Sequence, residues 1–333
     1  MRLIKSYLTR LFKSMKTLIL GAGGIGGYFG GRLAQAGGDV TFLVRPKRRA
    51  EIARDGLVIE SPLGNARLQA KTVVAEELKP GYDAVIFTCK AYDLDSAMDA
   101  IAPAMVGECA VVPQLNGIAH LDRLDARFGK AQVMGGVAQI NVTLRRDGVV
   151  HHMDKLARIV FGERDRKPSA RSQALADAFA KTSLDWKLSP DIEQDMWEKV
   201  AFLAALAATT CLFRGNVGEI MAAPGGKAAM ERAIAANIAI ATAEGHPPRA
   251  AAIDFARTRL TDREGTWSAS MMRDLEAGGK IEGDHIVGWM LERARRHGID
   301  DTILSLAYTN LKAYEARRDS GRLPQPPATP TPL

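Results

Sequence analysis

Cysteine is scarce in this chain of 333 residues. Cys89, Cys109 and Cys211 are too few and too widely spaced for a disulfide framework or a metal-ligand cluster. A reducing cytoplasm suits such usage. Long apolar runs are missing too. None approaches the roughly 18 uninterrupted residues that a membrane-spanning helix needs, so no membrane partner is expected. With 47% hydrophobic and 25% charged residues and a mean hydropathy near zero, disordered, collagen-like and coiled-coil readings fail. At roughly 100–200 residues per domain, two domains are expected. Acid is absent from residues 1–14, which hold Arg2, Lys5, Arg10 and Lys13 and so supply four of the net +7 charges. The rest is only mildly basic, which gives no reason to expect a nucleic-acid partner. That opening segment lacks the apolar core and small-residue cleavage site of a secretory signal. It reads as a dispensable extension ahead of Met15, with a surface-bound amphipathic helix as the alternative.

What is present is a β-α-β unit. Thr17–Leu20 is a short apolar strand followed at once by Gly-Ala-Gly-Gly-Ile-Gly. Ile25, Phe29, Leu33 and Ala36 then recur at helical spacing, Gly37-Gly38 ends the helix, and Val40–Val44 is a second strand. Further strands are expected at Leu57–Glu60, Leu68–Val74, Ala84–Cys89, Ala110–Val112, Val133–Val142, Val149–His152 and Arg158–Phe161, with helices near 46–54, 92–105 and 118–129. Such alternation predicts a parallel, doubly wound sheet with helices on both faces. After about residue 165 the strand signals stop, and helices are expected over 168–181, 191–213, 226–244, 248–259, 266–277, 283–297 and 301–317. Ser189-Pro190-Asp191 is a helix-start signature. The expected organisation is therefore an α/β Rossmann-type domain over 15–188 and an all-α domain over 189–318. A disordered, proline-rich tail over 319–333 follows. The alanine-rich helical half points weakly to a homodimer.

The glycines carry chemistry because of where they stand. Gly21, Gly23 and Gly26 follow a strand and open a helix, as a dinucleotide site requires. The first makes the tight turn, the second lets backbone approach a pyrophosphate, and the third lets helix and strand pack closely. Gly24 and Ile25 complete the loop. Its pyrophosphate would sit on the N–H groups at the helix N-terminus. An NAD site usually has Asp or Glu at the end of the second strand; here Arg45 stands there, followed by Lys47, Arg48 and Arg49. A guanidinium suits the 2′-phosphate of NADP, so NADPH is the expected cofactor. A solvated basic turn is the simpler account of Lys47 to Arg49. His151-His152 invites a metal reading, but adjacent strand residues face opposite ways, so no metal is expected.

The pieces LGAGGIGGYFGGRLAQAG, FTCKAYD at 87–93, LNG at 115–117, WEKVA at 197–201 and SMMRDLEAGGKIEGD at 270–284 resemble the ketopantoate reductase (2-dehydropantoate 2-reductase) family. The resemblance covers nearly all of 15–318. It implies NADPH-dependent reduction of a 2-oxo acid to a 2-hydroxy acid. It also implies Lys199 as general acid, Glu282 as a contact of the substrate hydroxyl, and Ser270 as a contact of the substrate carboxylate. Lys90 and Asn116 would lie beside nicotinamide and substrate. The residues agree with those roles. Hydride delivery leaves negative charge on the carbonyl oxygen, and a positioned cation both stabilises it and gives up a proton. Taken alone, Glu282 is equally a helix N-terminal dipole partner and Asn116 a turn residue.

The chain also departs from the family. Pantoate-forming members carry asparagines four and eight residues after the lysine, where Leu203 and Ala207 stand here. Val217, with Asn216 beside it, and Val287 replace two more. An apolar pocket leaves the ketopantoate hydroxyl unpaired at a cost of about 1–3 kcal/mol. The expected substrate is therefore ketopantoate or a related, more apolar 2-oxo acid, and Leu203 is counted among the substrate contacts. Arg214, in CLFRGNVGEI, is a candidate carboxylate anchor through its bidentate fork. The rival readings are an NADPH-binding protein without turnover and a reductase of imines or bulkier keto acids.

Overall fold

A computed structural model describes residues 15–323. The basic extension and most of the proline-rich tail lie outside the described residues. The chain divides into two compact units between Met196 and Trp197.

Unit one is built on a parallel sheet ordered β5(Lys71–Val73)-β2(Asp39–Leu43)-β1(Lys16–Leu20)-β6(Ala84–Phe87)-β7(Ala110–Pro113). Strands covered on both faces read as continuous apolar runs. Leu18, Ile19, Val85 and Phe87 are all completely buried. A second, mixed sheet runs β10(Asp185–Leu188)-β9(Val150–Gly162)-β3(Leu57–Glu60)-β4(Ala66–Leu68), with β8(Gly135–Leu144) antiparallel to β9.

Two expectations are corrected by this second sheet. The strands expected at Val149–His152 and Arg158–Phe161 are one strand, because the exposed stretch Met153–Leu156 between them stays extended. Strands also do not stop at 165, since β10 pairs in parallel with β9. Its only apolar residues, Trp186 and Leu188, are partly buried against the core, too short a pattern to stand out.

Between the two sheets lies α1(Gly24–Gln35), and its glycines explain themselves there. A Cβ at Gly26 or Gly30 would come within 3.1 Å of Ile19 in the first sheet. One at Gly27 would lie 2.7 Å from Val150, and one at Gly31 2.6 Å from Ile59, both in the second sheet. Each pair is four residues apart and shares a helix face. The helix touches sheet on two sides, and side chains would hold the layers apart.

The remaining helices of unit one are α2(Pro46–Asp55), α3(Leu94–Ile101), α4(His120–Phe128) and α5(Ala170–Phe179). The longer α6(Ile192–Phe213) starts in unit one and continues into unit two. A Cβ on Gly135 would lie 2.7 Å from Ile192 and 3.1 Å from Met196, so the first turn of α6 is packed on β8. By length and composition α6 could cross a membrane, but 67% of its apolar window is buried inside the protein. Composition places it as a core helix.

The described part of unit two is helical: α7(Val217–Ala222), α8(Gly226–Ala243), α9(Ala250–Leu260), α10(Ser270–Glu276), α11(Trp289–Arg296) and α12(Thr302–Asp319). The short α7 was not expected. Its start is a capping box in which Asn216 and Glu219 bond each other's backbone N–H. The helix expected over 266–277 begins only at Ser270. Ser320 and Gly321 close α12 by N–H bonds to Ala316 and Arg318, so ordered chain extends past 319, where the tail was expected to begin.

Candidate active site

The glycine loop joins β1 to α1. Gly21 has φ +86°, a left-handed conformation open to glycine. Gly26 is needed for space, because a Cβ there would lie 2.3 Å from the Gly21 carbonyl oxygen and 2.5 Å from Thr88 Oγ1. Gly23 has nothing within 4 Å of such a Cβ, which leaves room for a ligand to reach the backbone. No side chain caps this end of α1, and its first turn holds no acidic residue, so an anion meets the positive end of the helix dipole unopposed. Gly24 begins the helix, and Ile25 packs its side chain on the core. Three glycines perform three different tasks, and together they form a cradle that fits a dinucleotide pyrophosphate.

The basic cluster after β2 divides in an unexpected way. Arg45, the specific candidate, is the N-cap of α2, with its side chain 80% exposed and 3.3 Å from Asp93. Such an exposed pair is worth about 0–1 kcal/mol. Arg49 pairs with Glu77 through two bonds of 2.8 Å. Arg48, read above as part of a solvated turn, is instead largely buried. Its Nε donates to Ala22 O of the glycine loop at 3.2 Å, and its Nη1 to Gly148 O at 2.9 Å in the β8–β9 turn. It ties that loop to the second sheet. Sequence spacing did not show this, because the partner lies 100 residues away.

Lys90 and Asn116 are half-buried, just past the carboxyl ends of β6 and β7. Open α/β sheets bind ligands at that edge. Thr88, absent from the sequence reading, donates to Leu20 O at 2.6 Å and joins β6 to the start of the glycine loop.

In unit two the charged pair is Lys199 and Glu282. Lys199 is half-buried on α6, and burial pushes its ammonium down to about 8 while Glu282 acts in the opposite sense. Glu282 itself is buried, at 6% exposure. The structure thus brings together two residues 83 positions apart in the chain, one from α6 and one from just ahead of α11. Two residues before Lys199, Trp197 packs on Trp289, the first residue of α11, at 5.3 Å between ring centres. Trp197 also stacks on His246 at 5.4 Å, and the Arg293 guanidinium sits over the Trp289 ring. The two segments that carry the charges are therefore fastened to each other by aromatic contact.

Ser270 is half-buried at the start of α10, preceded by Ala269, whose N–H donates to Thr210 Oγ1 on α6 at 3.4 Å. Leu203 lies one turn from Lys199 on the same face and is half-buried. Ala207, Val217 and Val287 are each 0% exposed, so these three departures are core packing rather than pocket wall. Arg214 is not brought to Lys199. It is exposed and ends α6 in a left-handed conformation, φ +56°, with its N–H on Thr210 O at 2.9 Å. Fourteen residues of helix separate Lys199 from Phe213, a rise of about 21 Å. One small 2-oxo acid cannot span that distance.

Of the histidines, His152 is buried, with Nδ1 2.8 Å from Ser61 Oγ and Nε2 3.0 Å from Leu156 O. Structural bonds account for both of its nitrogens.

A family model described as Ketopantoate reductase PanE/ApbA matches residues 17–166, and its C-terminal counterpart matches 191–315. The chain belongs to the ketopantoate reductase family. Among relatives, an uncharacterized oxidoreductase, YkpB, of Bacillus subtilis is 38% identical over 304 residues, 91% of this chain and all of that protein. A crystal structure of 2-dehydropantoate 2-reductase from Geobacter metallireducens is 28% identical with a TM-score of 0.81, covering 90% of this chain and 99% of that one. D-mandelate dehydrogenase, solved with NADH and anilino(oxo)acetate, shares the fold at TM-score 0.82 and 20% identity, over 92% and 100% of the two chains. These findings establish a ketopantoate reductase-like oxidoreductase of two-domain architecture. The nearly full-length match to ketopantoate reductase folds agrees with the α/β unit followed by helices described above.

Proposed function

We propose that this protein reduces a 2-oxo acid with an apolar side chain to the 2-hydroxy acid, using NADPH. The observation that carries the reading is the half-buried Lys199 ammonium, pushed down to about 8 beside the buried Glu282 carboxylate. A proton donor works best when its pKa lies near the operating pH, and burial has moved this lysine there. When bound, NADPH would supply the hydride that reaches the carbonyl carbon. As the carbonyl π-bond breaks, Lys199 Nζ gives its proton to the oxygen and is left neutral, to be reprotonated from solvent. Glu282 supports the charged form of Lys199 and accepts a hydrogen bond from the new hydroxyl. The Ser270 hydroxyl is assigned to the substrate carboxylate.

Gly21, Gly23, Gly24, Ile25 and Gly26 would hold the pyrophosphate on backbone N–H groups. Lys90 and Asn116 would face the nicotinamide end. Arg45 would take the 2′-phosphate, for which its weak pair with Asp93 is easily exchanged.

Leu203 supports the apolar substrate. It is the departure from the pantoate-forming pattern that remains partly exposed on the Lys199 face.

The test is NADPH oxidation followed by stopped flow against a panel of 2-oxo acids. 2-Oxoisovalerate should exceed ketopantoate in kcat/KM by about fivefold to 150-fold, the worth of one unpaired hydroxyl. Leu203→Asn should narrow that ratio. Better turnover of ketopantoate would overturn the apolar reading, and no turnover of any 2-oxo acid would overturn the assignment as a reductase. Replacing NADPH by NADH in the same assay tests the cofactor.

A further inference from the structure

Glu282 enters its helix through a distortion. The Trp289 N–H donates to the Asp284 carbonyl five residues back, so Asp284–Gly288 is a π turn, and α11 begins where it ends. A π turn contains one residue more than an α turn. Everything ahead of it is rotated by about 100° around the axis relative to an uninterrupted helix. Glu282 is two residues ahead of this turn, and its carbonyl accepts the Ile286 N–H at 3.1 Å, which ties its backbone to the turn.

One side chain grips both ends of the turn. At its last residue, a Cβ on Gly288 would lie 2.7 Å from Tyr308 Cε2, so the ring occupies the space a side chain would need. At its first residue, the Tyr308 hydroxyl donates to Asp284 Oδ1 at 2.7 Å. Lys312, one turn further along α12, donates to both oxygens of Asp284 at 3.1 and 3.2 Å and also pairs with Glu315. Between them, Leu311 is fully buried against Gly283. No residue of this assembly has been given a part in the chemistry above.

We propose that Tyr308 and Gly288 are positioning residues, which hold the π turn that aims the Glu282 carboxylate at Lys199. The proposal rests on the reading of Lys199 as proton donor, and its physical content can be measured apart from turnover. Glu282 is the charged group that raises the affinity of Lys199 for its proton. If the carboxylate turns away, the lysine gives up that proton at lower pH.

The experiment follows the Nζ titration of Lys199 by NMR of protein labelled with 15N-lysine, the resonance being assigned by its loss in Lys199→Arg. Glu282→Gln sets the full scale of the shift. Gly288→Ala, which drives a methyl group into the Tyr308 ring, should move the titration below about 8 in the same direction. It should also lower kcat by about 100-fold, as misplacing a reacting group does. Tyr308→Phe keeps the ring and loses the bond to Asp284, so it should shift the titration the same way by less.

Folded variants in which Lys199 titrates as in the wild type overturn the proposal. If Gly288→Ala does not fold, an unchanged titration in Tyr308→Phe is sufficient to overturn it. A wild-type protein that reduces no 2-oxo acid overturns the proposed function and leaves this titration to decide the positioning role.

Discussion

The two units build their candidate sites by opposite means. Unit one removes side chains: Gly26 clears the turn, Gly23 opens the backbone, and Gly27 and Gly31 admit a second sheet. Unit two places side chains, setting an ammonium and a carboxylate from distant segments against each other in a half-buried setting. Recognition by backbone tolerates no added atoms, whereas recognition by side chains tolerates almost any change except in the few that carry charge. Substitution of a tightly packed glycine such as Gly26 should therefore damage the fold, whereas substitution of Lys199 should damage only the chemistry.

The largest effect is expected in unit two. Lys199→Ala should lower kcat by roughly 10²–10⁴ with NADPH affinity little altered, and alanine suits the helix. With Lys199 as the proposed proton donor, kcat should fall as pH rises through about 8. A variant with near-normal turnover would shift attention to Lys90.

Gly26→Ala tests the other half of the contrast. A methyl group 2.3 Å from a backbone oxygen cannot be accommodated by a side-chain shift. A loss of about 3 kcal/mol, the upper end for overpacking, should appear as a lower denaturant midpoint together with lost cofactor binding. Gly23→Ala has open space around it and should leave the midpoint unchanged while weakening cofactor binding. Equal behaviour of the two variants would break the distinction between a glycine needed for packing and one needed for a ligand.

Arg45→Ala sharpens the contrast at a place where unit one does use a side chain. It should lose about 1.5 kcal/mol of NADPH binding by titration calorimetry, the lower end for a bond to a charged group, because this side chain is 80% exposed. NADH binding should hardly change. Equal losses for both cofactors would reduce Arg45 to a turn residue.

The smallest effect should be a gain. Arg214 adopts a left-handed conformation at a helix end where glycine is preferred, so Arg214→Gly should stabilise by about 1 kcal/mol in denaturant melts. If Arg214 anchored the substrate, KM would rise in the same variant; with about 21 Å of helix between it and Lys199, KM is expected to stay constant.

The same contrast governs how much could be read from sequence. The glycine loop was legible because its spacing is local, and so were β1, α1, β2 and the helical second half. The second sheet was not, since β9 hides its continuity behind four exposed residues and β10 is only four residues long. Arg48 looked like one more surface cation because its carbonyl partners lie 26 and 100 residues away. Lys199 and Glu282 became candidates through resemblance, and only the folded chain shows the burial that moves the lysine. Burial also reassigns Ala207, Val217 and Val287, since positions on an apolar helix face look alike whether they line a pocket or fill a core. The π turn has no sequence signal that helical periodicity could register.

The helix between the two sheets has a consequence for how the chain folds. Five of its first eight residues are glycine, each costing about 1 kcal/mol of helix propensity relative to alanine. Alone it is a poor helix, and only burial between the layers sustains it. The segment must then acquire its shape late, after strands far apart in the chain have paired, and its buried amides should exchange with solvent only when the layers open. Cofactor that binds its N-terminus binds the assembled state alone. Saturation at 100 times Kd should therefore add about 2.7 kcal/mol to the stability of the native protein and slow amide exchange along α1.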